Sequence, residues 1–232
     1  MNSTPWAEQQ LKEMACLTVG ADYWKTVEAQ GIRPLKMCDG PFGVRHEDPT
    51  SASPDGFNQH DSYPATCLPC GSAIGASWNE KLVEQAAAAV AREAKALGVD
   101  ILLGPAMNHK RMPLGGRNFE YLSEDPLLTG KLAAAYVRGV QSEHIAACLK
   151  HFLANNAEFN RETIDTHIEE KTLREIYLRG FEIAVKEGRP LCVMGAYNRF
   201  RGEYCCENEA MLNGVLREEW GFDGLVISDW RA

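Results

Sequence analysis

Residues 101–126 read ILLGPAMNHKRMPLGGRNFEYLSEDP, and the order of residue types in this stretch decides the fold. A strand-sized apolar run at 101–103 leads into a polar loop. Asp125 and Pro126 then introduce a segment with the apolar spacing of a helix. Acidic residues and proline are favoured in the first turn of a helix. The stretch therefore predicts one strand–loop–helix unit.

The same unit recurs along the whole chain. Continuous apolar runs, rather than alternating ones, predict strands that are covered on both faces, as in a parallel sheet flanked by helices. A polar segment at 46–64 predicts a surface loop. The predicted strands are 35–38, 101–103, 146–149, 191–194 and 225–227, with a weaker candidate at 66–68, and the predicted helices are 7–17, 78–97, 126–143, 169–187 and 209–218.

Composition and charge exclude several classes of protein. Hydrophobic residues make up 45% of the 232 residues and charged residues 24%, which is typical of a packed globular domain. Asp and Glu outnumber Lys and Arg by 32 to 24, so there is no positive surplus to attract nucleic acid or an anionic membrane. No apolar run approaches the roughly 20 residues of a membrane-spanning helix.

The amino-terminal residues and the cysteines bear on the cellular compartment. The stretch Met1–Trp6 lacks the basic and apolar regions of a secretion signal, so we expect a cytoplasmic protein. Most of the eight cysteines are expected to be reduced. Cys67 and Cys70 have a spacing found in zinc and redox sites, but the adjacent Cys205 and Cys206 are an unusual second pair. We therefore expect no metal.

Polar side chains follow each of the five clear apolar runs. In a parallel barrel, the carboxyl ends of the strands open on one face, where active sites are built. Each group alone has an ordinary explanation as a turn former, a solvated strand end or a helix cap. Their recurrence after every strand predicts a shared polar pocket with an aromatic wall. The groups are Asp39, Arg117, Lys150 with His151, Tyr197, and Asp229 with Trp230.

Such a set suits the chemistry of glycosides. Carboxylate, lysine, histidine and arginine side chains can hold sugar hydroxyls by charge-assisted hydrogen bonds, and an indole can cover the apolar face of a sugar ring. A retaining mechanism also needs a carboxylate beside the anomeric carbon, and Asp229 is placed for that role.

Several motifs, in this order, resemble those of glycoside hydrolase family 3. They are Asp39-Gly40-Pro41-Phe42-Gly43-Val44-Arg45, the run from Gly104-Pro105 through Gly115-Gly116-Arg117-Asn118-Phe119-Glu120 to Ser123-Glu124-Asp125-Pro126, Lys150-His151-Phe152 with Asn155-Asn156, Ala196-Tyr197-Asn198, Trp220-Gly221-Phe222-Asp223-Gly224 and Ser228-Asp229-Trp230. They span roughly residues 30–230.

The resemblance implies a retaining, exo-acting β-glycosidase, similar to β-glucosidases or β-xylosidases, that needs no cofactor and no metal. It implies that Asp229 is the nucleophile and that six residues line the subsite for the terminal sugar: Asp39, Arg117, Lys150, His151, Tyr197 and Trp230. Glu158 and Arg161 lie in the matching loop, and we expect them to support the site from behind. The expected partner is an oligosaccharide or glycoside, with neither nucleic acid nor membrane; the sequence leaves the oligomeric state open.

By the same resemblance, residues 1–232 are part of an α/β fold, an incomplete (β/α)8 TIM-type barrel with about six of its eight strands. Later barrel elements and, usually, a carboxy-terminal α/β sandwich domain are expected beyond this chain, and this later region typically supplies the acid/base carboxylate. An open barrel has two exposed edges, so we expect the fragment to be unstable. The alternatives are an inactive fragment that at most binds sugar and a phosphate-handling barrel enzyme, whose glycine-rich phosphate loop is missing.

Overall fold

The computed structural model describes residues 8–16, 18–29, 31–51 and 61–232. Its centre is a curled sheet of five parallel strands, flanked by helices and two small sheets. The strands are β1 Gly20–Asp22, β2 Lys25–Thr26, β3 Met37–Cys38, β4 Ile101–Leu102, β5 Ala146–Phe152, β6 Asp165–Thr166, β7 Cys192–Gly195, β8 Arg199–Phe200, β9 Glu203–Tyr204 and β10 Leu225–Ser228.

The central sheet has the order β10-β7-β5-β4-β3, so each strand pairs with its neighbour in the chain among the strands of this sheet. All four pairings are parallel, with Cys38 opposite Leu102 and Val193 opposite Val226, for example. A parallel sheet wound in sequence order, with helices on its outside, is the first part of a (β/α)8 barrel. The structure therefore confirms an incomplete TIM-type barrel.

The five clear strand predictions are confirmed, but the weaker candidate at 66–68 forms no strand. Instead, the Leu68 N–H donates to the carbonyl of Phe42 at 2.8 Å, and the Thr66 N–H donates to the carboxylate of Glu93. These two hydrogen bonds give the backbone N–H groups of Leu68 and Thr66 acceptors outside any strand. Of residues 66–68, Leu68 packs against the buried core, whereas Thr66 and Cys67 are exposed.

The helices agree with the predicted periodicity. α1 is Glu8–Cys16, α2 is the short helix Gly71–Gly75, α3 is Glu80–Ala96 and α4 is Pro126–Ser142. Residues 7 and 17 of the first prediction lie outside the described residues. The 169–187 prediction corresponds to a helical segment of alternating α and π turns, Glu170–Thr172, Leu173–Tyr177, Arg179–Ile183 and Ala184–Gly188, and the last prediction corresponds to Ala210–Glu219.

Capping explains where the two long helices begin. The side chain of Asn79 accepts a hydrogen bond from the Leu82 N–H at 3.0 Å, and that of Asp125 accepts one from the Leu128 N–H at 2.7 Å. Each cap satisfies a backbone donor that has no partner within the helix. Pro126 at the first position of α4 adds its fixed φ angle.

Side chains alternate across the strands and divide the core into two layers. Cys38, Leu102, Leu149 and Val193 point outward and pack with α3, α4 and the later helices. The inward side chains fill the barrel interior. They are Met37, Ile101, Leu103, Cys148, Cys192 and Met194. On β5, Lys150 lies two residues after Cys148 and therefore also faces inward, at the open end of the barrel.

Two short antiparallel pairings were not predicted. β1 pairs with β2 in a hairpin beside the barrel mouth, and β8 pairs with β9; β6 adds to β8 in parallel and completes a three-stranded sheet. Of the polar segment at 46–64, residues 52–60 lie outside the described part of the chain, and its two ends pair with each other through Glu47 and Ser62. No helix in the described ranges has both the length and the apolar character needed to cross a membrane.

Candidate active site

The carboxyl ends of the central strands open into a cavity of about 810 Å³. The structure brings all seven predicted site residues to this cavity, although they are spread over most of the sequence. Six of them sit at or just after the carboxyl ends of strands, and Arg117 lies in the long loop that follows β4, as a barrel active site allows. They are Asp39, Arg117, Lys150, His151, Tyr197, Asp229 and Trp230.

Asp229 follows β10 directly, and its two carboxylate oxygens have different surroundings. The backbone N–H of Trp230 donates to Oδ1 at 2.8 Å. Oδ2 is buried and has no hydrogen-bond partner among the described residues. Burial raises the pKa of Asp229 above its ordinary value, against the lowering effect of the Trp230 N–H, the Tyr197 side chain and the charge of Arg117. One oxygen is therefore anchored by a backbone donor, and the other is enclosed without a hydrogen bond.

Lys150 is shared between two carboxylates. Its Nζ lies 2.7 Å from Asp39 Oδ1 and 3.3 Å from Glu120 Oε1, and its side chain is only 3% exposed. Burial alone would lower the pKa of Lys150, but the two carboxylates raise it above its ordinary value. Burial would likewise raise the pKa of Asp39, but Lys150 lowers it. Both groups are therefore charged at neutral pH.

Arg117 is held on two sides. Its Nε donates to Glu120 Oε2 at 2.8 Å, and its Nη2 lies 2.9 Å from His151 Nε2. Burial favours a lower pKa for Arg117, and the Glu120 carboxylate more than offsets this effect. Glu120 thus contacts two cations of the site, Arg117 and Lys150, and orients both. It was part of a motif, but its role was not predicted, because only the folded chain brings Lys150 to it.

His151 is the most enclosed of the polar groups, being 1% exposed. Its Nε2 lies 3.6 Å from Asp229 Oδ2. Burial, together with the charges of Arg117 and Lys150, lowers the pKa of His151 well below its ordinary value. The imidazole is therefore neutral at physiological pH, and its approach to Asp229 is not an ion pair.

The other side of the cavity corrects one expectation. Arg161 was expected behind the site, but it lines the cavity, and its guanidinium carbon lies 4.4 Å from the ring centroid of Tyr197. Glu158 fits the expectation, since it is not part of the lining and holds Arg161 at 2.9 Å. Burial, with the nearby Asp229, raises the pKa of Tyr197 to about 12, so its hydroxyl stays protonated.

The amino-terminal part of the chain supplies a further wall that was not predicted. Trp24, just after β1, packs against Trp230 with 5.4 Å between ring centroids. Such tilted aromatic pairs are a favourable geometry. Strands of two or three residues carry no recognisable periodicity, so the adjacent aromatic residues Tyr23 and Trp24 were the only signal in the sequence. The other unpredicted polar and aromatic lining residues are Asp22, Tyr23, Arg45 and Glu47.

The described residues contain no group of three or more His, Cys, Asp or Glu side chains arranged to hold a metal ion. Cys67 and Cys70 are exposed, and neither they nor Cys205 and Cys206 form a disulfide in the described structure. Cys38, Cys148, Cys192 and Cys205 are buried, as expected for cysteines that serve as small apolar residues.

Comparison with known proteins gives consistent matches. Thermostable β-glucosidase B of Acetivibrio thermocellus is 51% identical over 227 residues, which are 97% of this chain and 30% of that protein. An exo-α-(1→6)-L-arabinopyranosidase of Bifidobacterium longum is 46% identical over 96% of this chain and 29% of its own length. The chain thus spans less than a third of the curated relatives that it matches.

Solved structures agree with the fold. The structure of β-glucosidase 3B from Thermotoga neapolitana in complex with glucose superposes with a TM-score of 0.82 and 49% identity, over 89% of this chain and 28% of that one. The β-glucosidase of Kluyveromyces marxianus in complex with glucose gives a TM-score of 0.87 and 38% identity, over 96% of this chain and 26% of that one.

A family model gives the assignment. Residues 55–232 match the glycosyl hydrolase family 3 N terminal domain, a range that includes β4, β5, β7 and β10 and all the predicted site residues except Asp39. The chain therefore belongs to glycosyl hydrolase family 3, and it corresponds to the N-terminal domain of that family.

Proposed function

We propose that this chain carries the nucleophile and the sugar-binding subsite of a retaining, exo-acting glycosidase that removes terminal non-reducing sugars. The observation that carries the proposal is the placement of Asp229. One of its oxygens is anchored by the Trp230 N–H, and the residue lines a cavity ringed with hydrogen-bonding side chains.

In the proposed reaction, a carboxylate oxygen of Asp229 attacks the anomeric carbon while the bond to the leaving oxygen breaks. The electrons of that bond stay with the leaving oxygen, and a glycosyl ester forms on Asp229. Water then hydrolyses the ester. Burial of Asp229 favours this attack, because few competing hydrogen bonds have to be broken at its carboxylate.

The remaining lining residues suit a single sugar ring. Asp39 offers an acceptor, Lys150 and Arg117 offer charged donors, and Tyr197 offers a hydroxyl, all of which pair well with sugar hydroxyls. Trp230 provides an apolar wall. Two of the similar structures are complexes with glucose, which supports a pyranose in this cavity. Relatives named β-glucosidase and arabinopyranosidase support a terminal pyranoside as the substrate class, with β-glucoside or β-xyloside proposed here.

A second carboxylate is needed as general acid/base. Asp39 does not suit this role, because Lys150 holds it ionised. We propose that the acid/base comes from a region that the longer relatives have and this chain does not cover, and that residues 1–232 form a partial barrel, followed in a whole enzyme by later barrel elements and an α/β sandwich domain. A cytoplasmic location remains a prediction.

An inactive, sugar-binding fragment is the alternative. The two proposals differ in one step, since an assembled nucleophile can displace a leaving group that departs without a proton, even when the acid is absent. The test is incubation with a 2-deoxy-2-fluoro dinitrophenyl β-glucoside, followed by intact mass spectrometry and peptide mapping. A glycosyl adduct on Asp229 is expected.

Two variants control this experiment. Asp229→Asn keeps the shape of the side chain and should abolish the adduct, whereas Asp223→Asn changes an exposed carboxylate before the other end of β10 and should leave it intact. An adduct on another carboxylate, or none on a chain that binds glucose and unfolds cooperatively, would rule out Asp229 as the nucleophile.

A further inference from the structure

Asn108 is a buried amide, 1% exposed, that contacts one residue three times. Its Oδ1 accepts from the His151 backbone N–H at 2.8 Å and lies 3.3 Å from His151 Nδ1, and its Nδ2 donates to the His151 carbonyl at 2.8 Å. We propose that Asn108 is a positioning residue that fixes His151 as the neutral tautomer with its proton on Nδ1.

The backbone places Asn108 beside His151. After β4 the chain continues alongside β5, where Ala106 pairs with Lys150 and the Met107 N–H donates to the Lys150 carbonyl at 2.8 Å. Asn108 is the next residue, so its short side chain meets the next residue of β5. The Asn108 side-chain amide thus takes the place of a backbone peptide group in pairing with His151.

The orientation of the amide follows from the backbone of His151. A backbone N–H can only donate and a carbonyl can only accept, so Oδ1 must face the N–H and Nδ2 must face the carbonyl. A flipped amide would place donor against donor and acceptor against acceptor. Nδ1 of the imidazole therefore meets an oxygen that has no proton to give, and the proton of this contact belongs to Nδ1.

The opposite nitrogen is consistent with this assignment. Arg117 has only donors, and its Nη2 lies 2.9 Å from His151 Nε2, so Nε2 must accept. A proton on Nε2 would instead point at Arg117 and toward Asp229 Oδ2, which is 3.6 Å away. The Nδ1–H tautomer thus keeps a competing donor away from Asp229.

The charges around His151 do not favour a second proton. Arg117, Lys150 and Arg161 are cations whose charges act on it, Asp229 is the anion in contact with Nε2, and Tyr121 packs its ring edge at 6.4 Å between centroids. The assignment of the tautomer does not depend on the proposed hydrolysis. Its effect on the reactivity of Asp229, in contrast, rests on the proposed function.

The direct test is a long-range ¹H–¹⁵N correlation spectrum of the chain with ¹⁵N-labelled histidine rings, in which protonated and unprotonated ring nitrogens resonate far apart. His151→Gln identifies the signal by its loss. The expected result is a protonated Nδ1 and an unprotonated Nε2 that do not titrate between pH 5 and 8, the interval in which an ordinary histidine changes charge. A proton on Nε2, or an imidazolium at neutral pH, would overturn the proposal.

Variants show which partner sets the tautomer. Asn108→Asp places a carboxylate at Nδ1, so a doubly protonated ring is expected at higher pH than in the parent. Asn118→Asp adds the same charge on the neighbouring loop without contacting His151 and should leave the tautomer unchanged. Arg117→Met removes the donor at Nε2 and should also leave the proton on Nδ1. If the proton moves to Nε2 in this variant, Arg117 and not Asn108 determines the tautomer of His151, and the proposal is refuted.

A second readout links the tautomer to chemistry. Asn108→Leu should slow adduct formation on Asp229 about tenfold, as expected for losing one hydrogen bond near a charged group. If neither parent nor variant forms an adduct, the proposed hydrolysis fails while the spectra still decide the tautomer. If the adduct forms equally fast in a variant whose tautomer has changed, the link between Asn108 and Asp229 is wrong.

Discussion

Lys150 Nζ and Asp39 Oδ1 lie 2.7 Å apart, although the two residues are 111 positions apart in the sequence. Asp39 follows β3 at one edge of the central sheet, and Lys150 lies on β5 in its middle. The pair spans the mouth of the barrel and ties the edge strand to the sheet centre. It is at once part of the sugar-binding surface and a long-range contact of the fold.

Lys150→Met is therefore expected to destabilise the protein, because it leaves the carboxylates of Asp39 and Glu120 without their shared cation. The expected loss in the free energy of unfolding is about 3 kcal/mol at neutral pH, at the low end for breaking a buried pair, since the Asp39 side chain is 33% exposed. Urea denaturation measures it. Lys131→Met, which breaks an exposed pair with Glu187, should cost at most about 0.5 kcal/mol, and equal losses would contradict the prediction.

Asp229→Asn is expected to stabilise the fold while removing the nucleophile. The pKa of Asp229 is raised in the folded chain by burial, so the folded state binds its proton more tightly than the unfolded state does. The stability that this carboxyl contributes is present below its unfolded pKa of about 3.9 and is lost as pH rises through the higher folded value.

The variant stays neutral at every pH, so its gain should be on the order of 1 kcal/mol at pH 7 and vanish below about pH 4. Urea denaturation of the parent and variant across this range measures the difference. A variant less stable than the parent at pH 7 would show that Asp229 is stabilised as the anion.

Glu120→Gln tests whether Glu120 orients both cations. Glutamine keeps one acceptor oxygen but presents an N–H₂ group to the other cation, so Arg117 and Lys150 can no longer both be held. We expect glucose binding, measured by calorimetry, to weaken at least tenfold. Glu124→Gln, on the exposed part of the same loop, should bind like the parent; an unchanged affinity in Glu120→Gln would limit Glu120 to a structural role.

Gly139→Ala tests the packing of α4 on α3. A Cβ at Gly139 would lie 2.2 Å from the Glu84 carbonyl oxygen, which is backbone and cannot swing away. The helices must separate, at an expected cost of about 2 kcal/mol in thermal or urea unfolding. Gly214→Ala is the matched control, because a Cβ there meets open space within a helix, and it should stabilise by about 0.5–1 kcal/mol. Similar effects at both sites would contradict the close approach.

Sequence reasoning predicted the elements that repeat and the residues that follow them. The helices have a clear period, and the strands are continuous apolar runs, so α3, α4 and the five central strands were placed to within a few residues. Asp229 was found because it directly follows an apolar run and a family motif ends there. The strand candidate at 66–68 was wrong, because a short apolar run also suits a packed loop.

The missing parts of the site depend on contacts between distant residues. Asn108 and Glu120 were visible in the motif, but their partners lie on β5 and were brought near only by folding. Arg161 was expected behind the site together with Glu158, whereas in the fold its guanidinium lies over the Tyr197 ring and lines the cavity. Trp24 lies on a hairpin too short for any sequence period.

The strands of the central sheet follow one another in sequence order, and each delivers a side chain to the same cavity. A chain in which any one strand has come loose therefore lacks part of its sugar contacts. The side chains of the site are far apart in the sequence, and bringing them together requires the closure of long loops. We therefore expect the site to form late in folding. Sugar binding would thus require the whole sheet to be formed. A bound sugar would stabilise the state with an intact cavity relative to any partly folded state.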